Sequence, residues 1–161
     1  QPHEYKKFTE NFLNQYGSIY DFKNAIKQGF PFSAKLKEDA KTKLCYKKSD
    51  NFISQQIFAL DFDDWSIADF IRYTRDLSKF CNFIYTTVSN QKDGKGDRFR
   101  AVFILDNPIT NIDKAKSFIK FLLRQYPEAD QATKDATRGI YTFDNTTIID
   151  INNVYIHHSQ T

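Results

Sequence analysis

QQIFALDFDDW, residues 55–65, decides how the rest of the chain is read. Ile57, Phe58, Ala59, Leu60 and Phe62 make an apolar run that reads as a buried strand over 56–63. The run ends in three carboxylates, Asp61, Asp63 and Asp64, followed at once by Trp65. Alternate side chains share a strand face. Phe58, Leu60 and Phe62 therefore point one way, while Ile57, Ala59, Asp61 and Asp63 point the other. Two carboxylates at i and i+2 on one face repel unless something positive sits between them. A divalent cation, Mg2+ or Mn2+, answers that need with oxygen ligands and keeps coordination places for substrate phosphates. The competing reading ends the strand early and leaves the acids in a solvated loop. Asp64 falls on the opposite face, and Trp65 is expected to pack on the next helix.

Working outward, Ser66 caps a predicted helix that carries Ile67, Phe70, Ile71 and Leu77 at helical spacing. FIYTTV (83–88) and RFRAVFIL (98–105) read as two strands of a hairpin, with the polar glycine-containing loop SNQKDGKGD between them. DNPIT then turns the chain into a helix over about 111–126, ended by Pro127. Short strands are expected over 139–143 and 147–156. Before the acidic strand, Phe8, Phe12, Ile19, Phe22 and Ile26 suggest two helices broken at Gly17-Ser18, and QGFPF (28–32) reads as a turn. The order α-α-β-α-β-β-α-β-β implies an α+β domain with helices packed on a mainly antiparallel sheet. The 161 residues suit one domain, with a mainly helical portion over 1–50 and the core over 51–161.

Composition narrows the class. With 40% hydrophobic and 27% charged residues the chain is globular rather than disordered. No apolar run reaches the ~18 residues of a membrane helix, so no membrane partner is expected. The chain begins with Gln and contains no Met, and reads as a piece of something longer. Cys45 and Cys81 lack metal or redox spacing and read as reduced thiols of a cytoplasmic protein. A net charge of +3 is too mild to show nucleic-acid binding. The lysine-rich run KLKEDAKTKLCYKK (35–48) fits a solvated helix as well as a phosphate-binding face.

Several chemistries open with an acidic strand end. Haloacid-dehalogenase-type phosphatases follow the nucleophilic Asp with Asp-Gly-Thr or Asp-Gly-Val, whereas here Asp64-Trp65 follows. Sugar-nucleotide transferases of the Asp-x-Asp type place a nucleotide-binding αβ region first, and residues 1–50 contain no convincing strand. Three downstream pieces point elsewhere. Arg98 and Arg100 alternate onto one strand face, where two guanidiniums can clamp a triphosphate. Ser89 and Asn90 stand where the preceding strand stops, and Lys92 and Lys95 occupy the loop. Asp130 follows Ala129 in EADQATKDATRGIYTF, with Arg138-Gly139 leading into a strand. A third acid beside the first two would complete a two-metal site, with metals ~4 Å apart that activate a hydroxyl and stabilise the leaving pyrophosphate.

In their order FALDFDDW, YTTVSNQKDGKGDRFRAVFILDNPIT and ADQATKDATRGIYTF, the chain resembles the archaeo-eukaryotic primase superfamily. The likeness is to the primase-polymerase-like domains of plasmids, phages and other mobile elements, and runs over about 56–143. It implies an RRM-like sheet and a role in DNA replication. It implies Asp61, Asp63 and Asp130 as catalytic ligands of Mg2+ or Mn2+. Ser89, Asn90, Arg98 and Arg100 would meet the nucleotide, and Lys92, Lys95 and Arg138 the DNA. The implied substrates are a single-stranded DNA template and nucleoside triphosphates, with a helicase domain in the same full-length chain, in the cytoplasm of a bacterial cell. One position departs from the family: its second motif is Ser-x-His or Ser-His, and here Ser89-Asn90-Gln91 has no histidine. Asn hydrogen-bonds a phosphate or sugar but carries neither proton nor charge. His3, His157 and His158 lie near the chain ends and read as solvated. Two functions stay open: an active primase-polymerase, and a catalytically weakened primase-like module that binds DNA for a replication initiator. A metal-dependent nuclease would use the same acids but lacks an Glu-x-Lys or His-x-His base signature.

Overall fold

The computed structural model describes residues 18–37, 49–132 and 139–157. Its elements are helix α1 (Ile19–Lys27), strand β1 (Lys35–Leu36), a 3-10 turn (Ser49–Asn51) and strand β2 (Phe52–Phe62). Helix α2 (Ile67–Asp76), strands β3 (Phe83–Thr86) and β4 (Phe99–Ile109), helix α3 (Ile112–Gln125) and strand β5 (Ile148–Asp150) follow. The five strands form one antiparallel sheet in the order β1-β2-β4-β3-β5. The α+β class and the RRM-like centre, β2-β4-β3, are as the sequence predicts.

Alternation along β2 builds two different faces. Phe58, Leu60 and Phe62, with Phe99, Ala101, Phe103 and Leu105 of β4, are buried under α2 and α3. Rings dominate that layer: Phe62 stacks on Phe99 at 5.0 Å between centroids and meets Phe70 edge-on at 5.1 Å. Trp65 packs on α2 as expected, 5.2 Å from Tyr73. Such offset and edge-on pairs each add ~1 kcal/mol beyond the area they bury. On the opposite face Ile57, Phe83, Tyr85, Val102 and Ile104 pack with Phe22 and Ile26 of α1. Ser18, Ser66 and Asn111 cap the three helices, their side-chain oxygens accepting the orphan amides of the first turn.

Asn82 closes one end of β3. Fully buried, it donates through Nδ2 to the carbonyls of Asn152 (2.9 Å) and Val154 (2.8 Å). Its Oδ1 accepts from Ile104 N at 2.7 Å, and its carbonyl accepts from the amides of Ile151 and Asn152. A buried amide with every group paired fixes the path of the chain after β5.

Several boundaries differ from expectation. β2 begins at Phe52 rather than 56 and ends at Phe62, where its pairing with Phe99 stops, so Asp63 stands in the bend that follows. β4 does not turn out at residue 106. It runs on to Ile109 through a register shift, from Ile57↔Ile104 to Gln55↔Ile109, and this irregular stretch accommodates Pro108, which has no amide to give a ladder. The strand expected over 83–88 stops at Thr86 because the chain turns at 88–91. Residues 139–143 contribute only a bridge, Phe32↔Ile140, and within 147–156 the strand is confined to β5 plus a parallel bridge, Leu105↔Ile156. The lysine-rich run opens as β1, not as a helix. Its remainder, Cys45, the first predicted helix with Phe8 and Phe12, His3, Arg138 and His158 lie outside the described residues. No described helix is long and apolar enough to cross a membrane.

Candidate active site at the end of the central strands

Antiparallel pairing sets the site. Asp61 of β2 lies opposite Arg100 of β4, which in turn lies opposite Tyr85 of β3. The Arg100 Nε–H donates to Asp61 Oδ1, while its Nη1 donates to Tyr85 Oη and to the Tyr141 carbonyl, both at 2.9 Å. The two charged side chains are only 16% and 15% exposed, which places this pair inside the protein surface. Burial works against the Arg100 charge, but Tyr85 and Asp61 outweigh it and hold the guanidinium above its ordinary range.

One turn of the pleat further out, Arg98 Nη1 stands 3.3 Å from Asp63 Oδ1. Here the side chains are 24% and 46% exposed, and the buried Arg98 Nε has no hydrogen-bond partner among the described residues. Asp63, Asp64, Trp65, Ser66, Gly96 and Asp97 border an open pocket of ≈ 270 Å³. Asp130 joins from the turn after α3: its amide donates to the Asp61 carbonyl at 2.8 Å, and its Oδ1 accepts from Ala132 N at 3.0 Å.

The other predicted residues fall around this centre in different ways. Asn90 accepts from the Arg98 amide through Oδ1 at 2.8 Å, so half of its amide group is committed to holding the hairpin loop. Ser89 lies in the same turn, its carbonyl accepting from Lys92 N. Lys92 and Lys95 are exposed on the loop. Arg138 lies outside the described residues. His157 is exposed as expected, and its Nδ1 meets Asp106 Oδ2 at 2.8 Å, well away from the acids in the fold. Cys81 is a buried free thiol whose pKa burial raises, the opposite of an activated nucleophile.

Three groups were missed from the sequence. Tyr85 and the Tyr141 carbonyl hold Arg100, and Asp97 ties the hairpin loop to α2 by accepting from Ile67 N at 2.8 Å and from Gln91 Nε2. Tyr85 carried a signal: pairing 83–86 with 99–102 sets it directly opposite Arg100. The other two depend on loop paths that no periodicity encodes.

The donor set is all oxygen. Carboxylates of Asp61 and Asp63, with Asp130 bound to the same strand end, have the chemistry that Mg2+ or Mn2+ selects. Among the described residues, however, no three acidic, histidine or cysteine side chains are grouped as a metal site. Each strand-end carboxylate faces an arginine instead.

No family model matches the chain and no curated protein matches it. Among solved structures the fold is similar to the AEP domain of a primase-polymerase from cyanophage S-2L, with a TM-score of 0.54 and 10% identity. The match covers 69% of this chain and 60% of that one, a distant relation at the level of fold.

Proposed function

We propose that this chain is a primase-polymerase domain of DNA replication, joining nucleotides by template-directed transfer on single-stranded DNA. The observation that carries the reading is the alignment of Asp61 and Asp63 with Arg100 and Arg98 at one end of the sheet, with Asp130 hydrogen-bonded to the same strand end. The cyanophage likeness supports it at the level of fold. In the reaction the 3′-oxygen of a growing strand bonds to the α-phosphorus of a nucleoside triphosphate. The bond from that phosphorus to the bridging oxygen of the β-phosphate breaks, pyrophosphate leaves, and the hydroxyl proton passes to solvent. Mg2+ or Mn2+, held by Asp61, Asp63 and Asp130, would activate the hydroxyl and offset the charge of the leaving group.

The chain's own residues have separable tasks. Arg100, itself held by Tyr85, ties down Asp61 through its Nε–H. Arg98, more exposed and less committed, is the guanidinium suited to the triphosphate. Lys92 and Lys95 extend positive charge from that point along the hairpin loop for the template backbone. Asn90 supports a second reading, a DNA-binding module with weakened catalysis, because its oxygen is already spent on the Arg98 amide and it carries no charge.

Primer synthesis with labelled nucleotides on single-stranded DNA in Mn2+ tests the choice. Wild type should make product and an Asp61→Ala/Asp63→Ala variant none. Wild type that binds DNA without making product would exclude the catalytic reading and leave the binding module.

A further inference from the structure

The two arginine–carboxylate pairs at the strand ends are built differently. Arg100 is fixed by three acceptors on three segments, Asp61, Tyr85 and the Tyr141 carbonyl, and both charges lie at 15–16% exposure. Arg98 meets Asp63 across 3.3 Å, and its Nε has no hydrogen-bond partner among the described residues. Asp63 is 46% exposed, stands past the last ladder pair of β2, and borders an open pocket of ≈ 270 Å³. It therefore has the freedom and the space to change partner, which Asp61 lacks. Water reaches the half-exposed Asp63 and screens this pair, which lowers the cost of exchange.

We propose that Asp63–Arg98 is a displaceable latch within the site, while Asp61–Arg100 is a permanent brace. The proposal rests on the reading of this site as one for a nucleoside triphosphate with a divalent cation. With the latch closed, each residue masks the other: Arg98 is neutralised toward phosphate and Asp63 toward a cation. A hard cation taken up by Asp63 releases the Arg98 guanidinium for the phosphate chain, and a phosphate chain on Arg98 releases Asp63. Cation and triphosphate thus bind with positive coupling that neither ligand needs to touch the other to produce. The neighbouring acids Asp64 and Asp97 sharpen this, since they disfavour a phosphate chain that arrives without its cation.

Each half of the latch can be opened separately, with inorganic tripolyphosphate and Mn2+ as the probes. Asp63→Asn should tighten binding of tripolyphosphate in the absence of metal by about tenfold, within the usual range of coupling between sites. Asp61→Asn and Asp64→Asn remove the same charge nearby and should change it far less. In the reciprocal test, Arg98→Gln should tighten Mn2+ alone, followed by electron paramagnetic resonance, more than Arg100→Gln does. Equal effects from all three aspartate variants would reduce the latch to general electrostatics and overturn it, as would no effect of Asp63→Asn. Because both readouts are binding without turnover, the latch can fail while primer synthesis succeeds, and it can hold in a protein that makes no primer.

Discussion

The two faces of the central sheet solve opposite problems with the same three strands. Beneath α2 and α3, β2 and β4 offer Phe58, Leu60, Phe62, Phe99 and Phe103 to a continuous layer of rings. On the other face an apolar half, Ile57, Val102 and Ile104 against α1, gives way along the chain to Asp61, Arg98 and Arg100. The first face collects stability. The second converts the rigidity of the first into a fixed spacing of charges, which surface loops alone do not provide. What the contrast teaches is that Asp61 is placed by the packed rings behind its strand, while Asp63, past the strand end, is not.

The sharpest way to break that contrast is Phe62→Ala. Phe62 is fully buried between Phe99, Phe70 and Tyr126, so its loss should cost ~3–5 kcal/mol, read as a lower urea midpoint with an unchanged slope. A loss below ~1 kcal/mol would mean that the ring layer is not what holds the strand ends. A smaller effect separates brace from latch inside the charged face. Arg100→Gln strands a shielded carboxylate and breaks contacts to β3 and residue 141, and should cost ~2 kcal/mol. Arg98→Gln should stay within ~0.5 kcal/mol, because water screens its half-exposed partner Asp63. Equal losses in thermal melts of the two variants would erase the distinction.

Smallest is the pair Asp106–His157, away from both faces. The hydrogen bond from His157 holds the Asp106 carboxyl below its ordinary range. A depressed folded value adds stability above the ordinary aspartate range, and that stability is lost as pH falls through the lowered value. The gap in Tm between wild type and His157→Ala should therefore be present at mildly acidic pH and close on further acidification. A gap that widens instead would assign His157 a different partner.

Much of this was legible in the sequence, for identifiable reasons. The two-residue period of β2 assigned Phe58, Leu60 and Phe62 to one face and Asp61 to the other, because a pleated strand leaves the chain no other choice. Ser66 marked a helix start because few residue types satisfy orphan amides. Periodicity did not reveal that Arg100 is a brace and Arg98 is not: their spacing suggests one strand face, but Arg98 stands just before β4, and only the partners brought by β3 and residue 141 hold Arg100. Nor did it show Pro108 inside β4, since a proline in a strand normally signals its end and here falls in a shifted register. Asp130 stood out as an isolated third acid, and what joins it to Asp61 is a main-chain bond that no side-chain pattern records.

Asn82 has a consequence beyond ordering the turn where it sits. By pinning residues 151–154 it presses β5 onto β3, whose Phe83, Ile84 and Tyr85 are all buried. Without that cover, β3 would be a short, flat, apolar edge with unpaired amides, the kind of surface on which a second chain adds a strand. A single buried carboxamide therefore helps to keep an apolar strand from becoming an open edge.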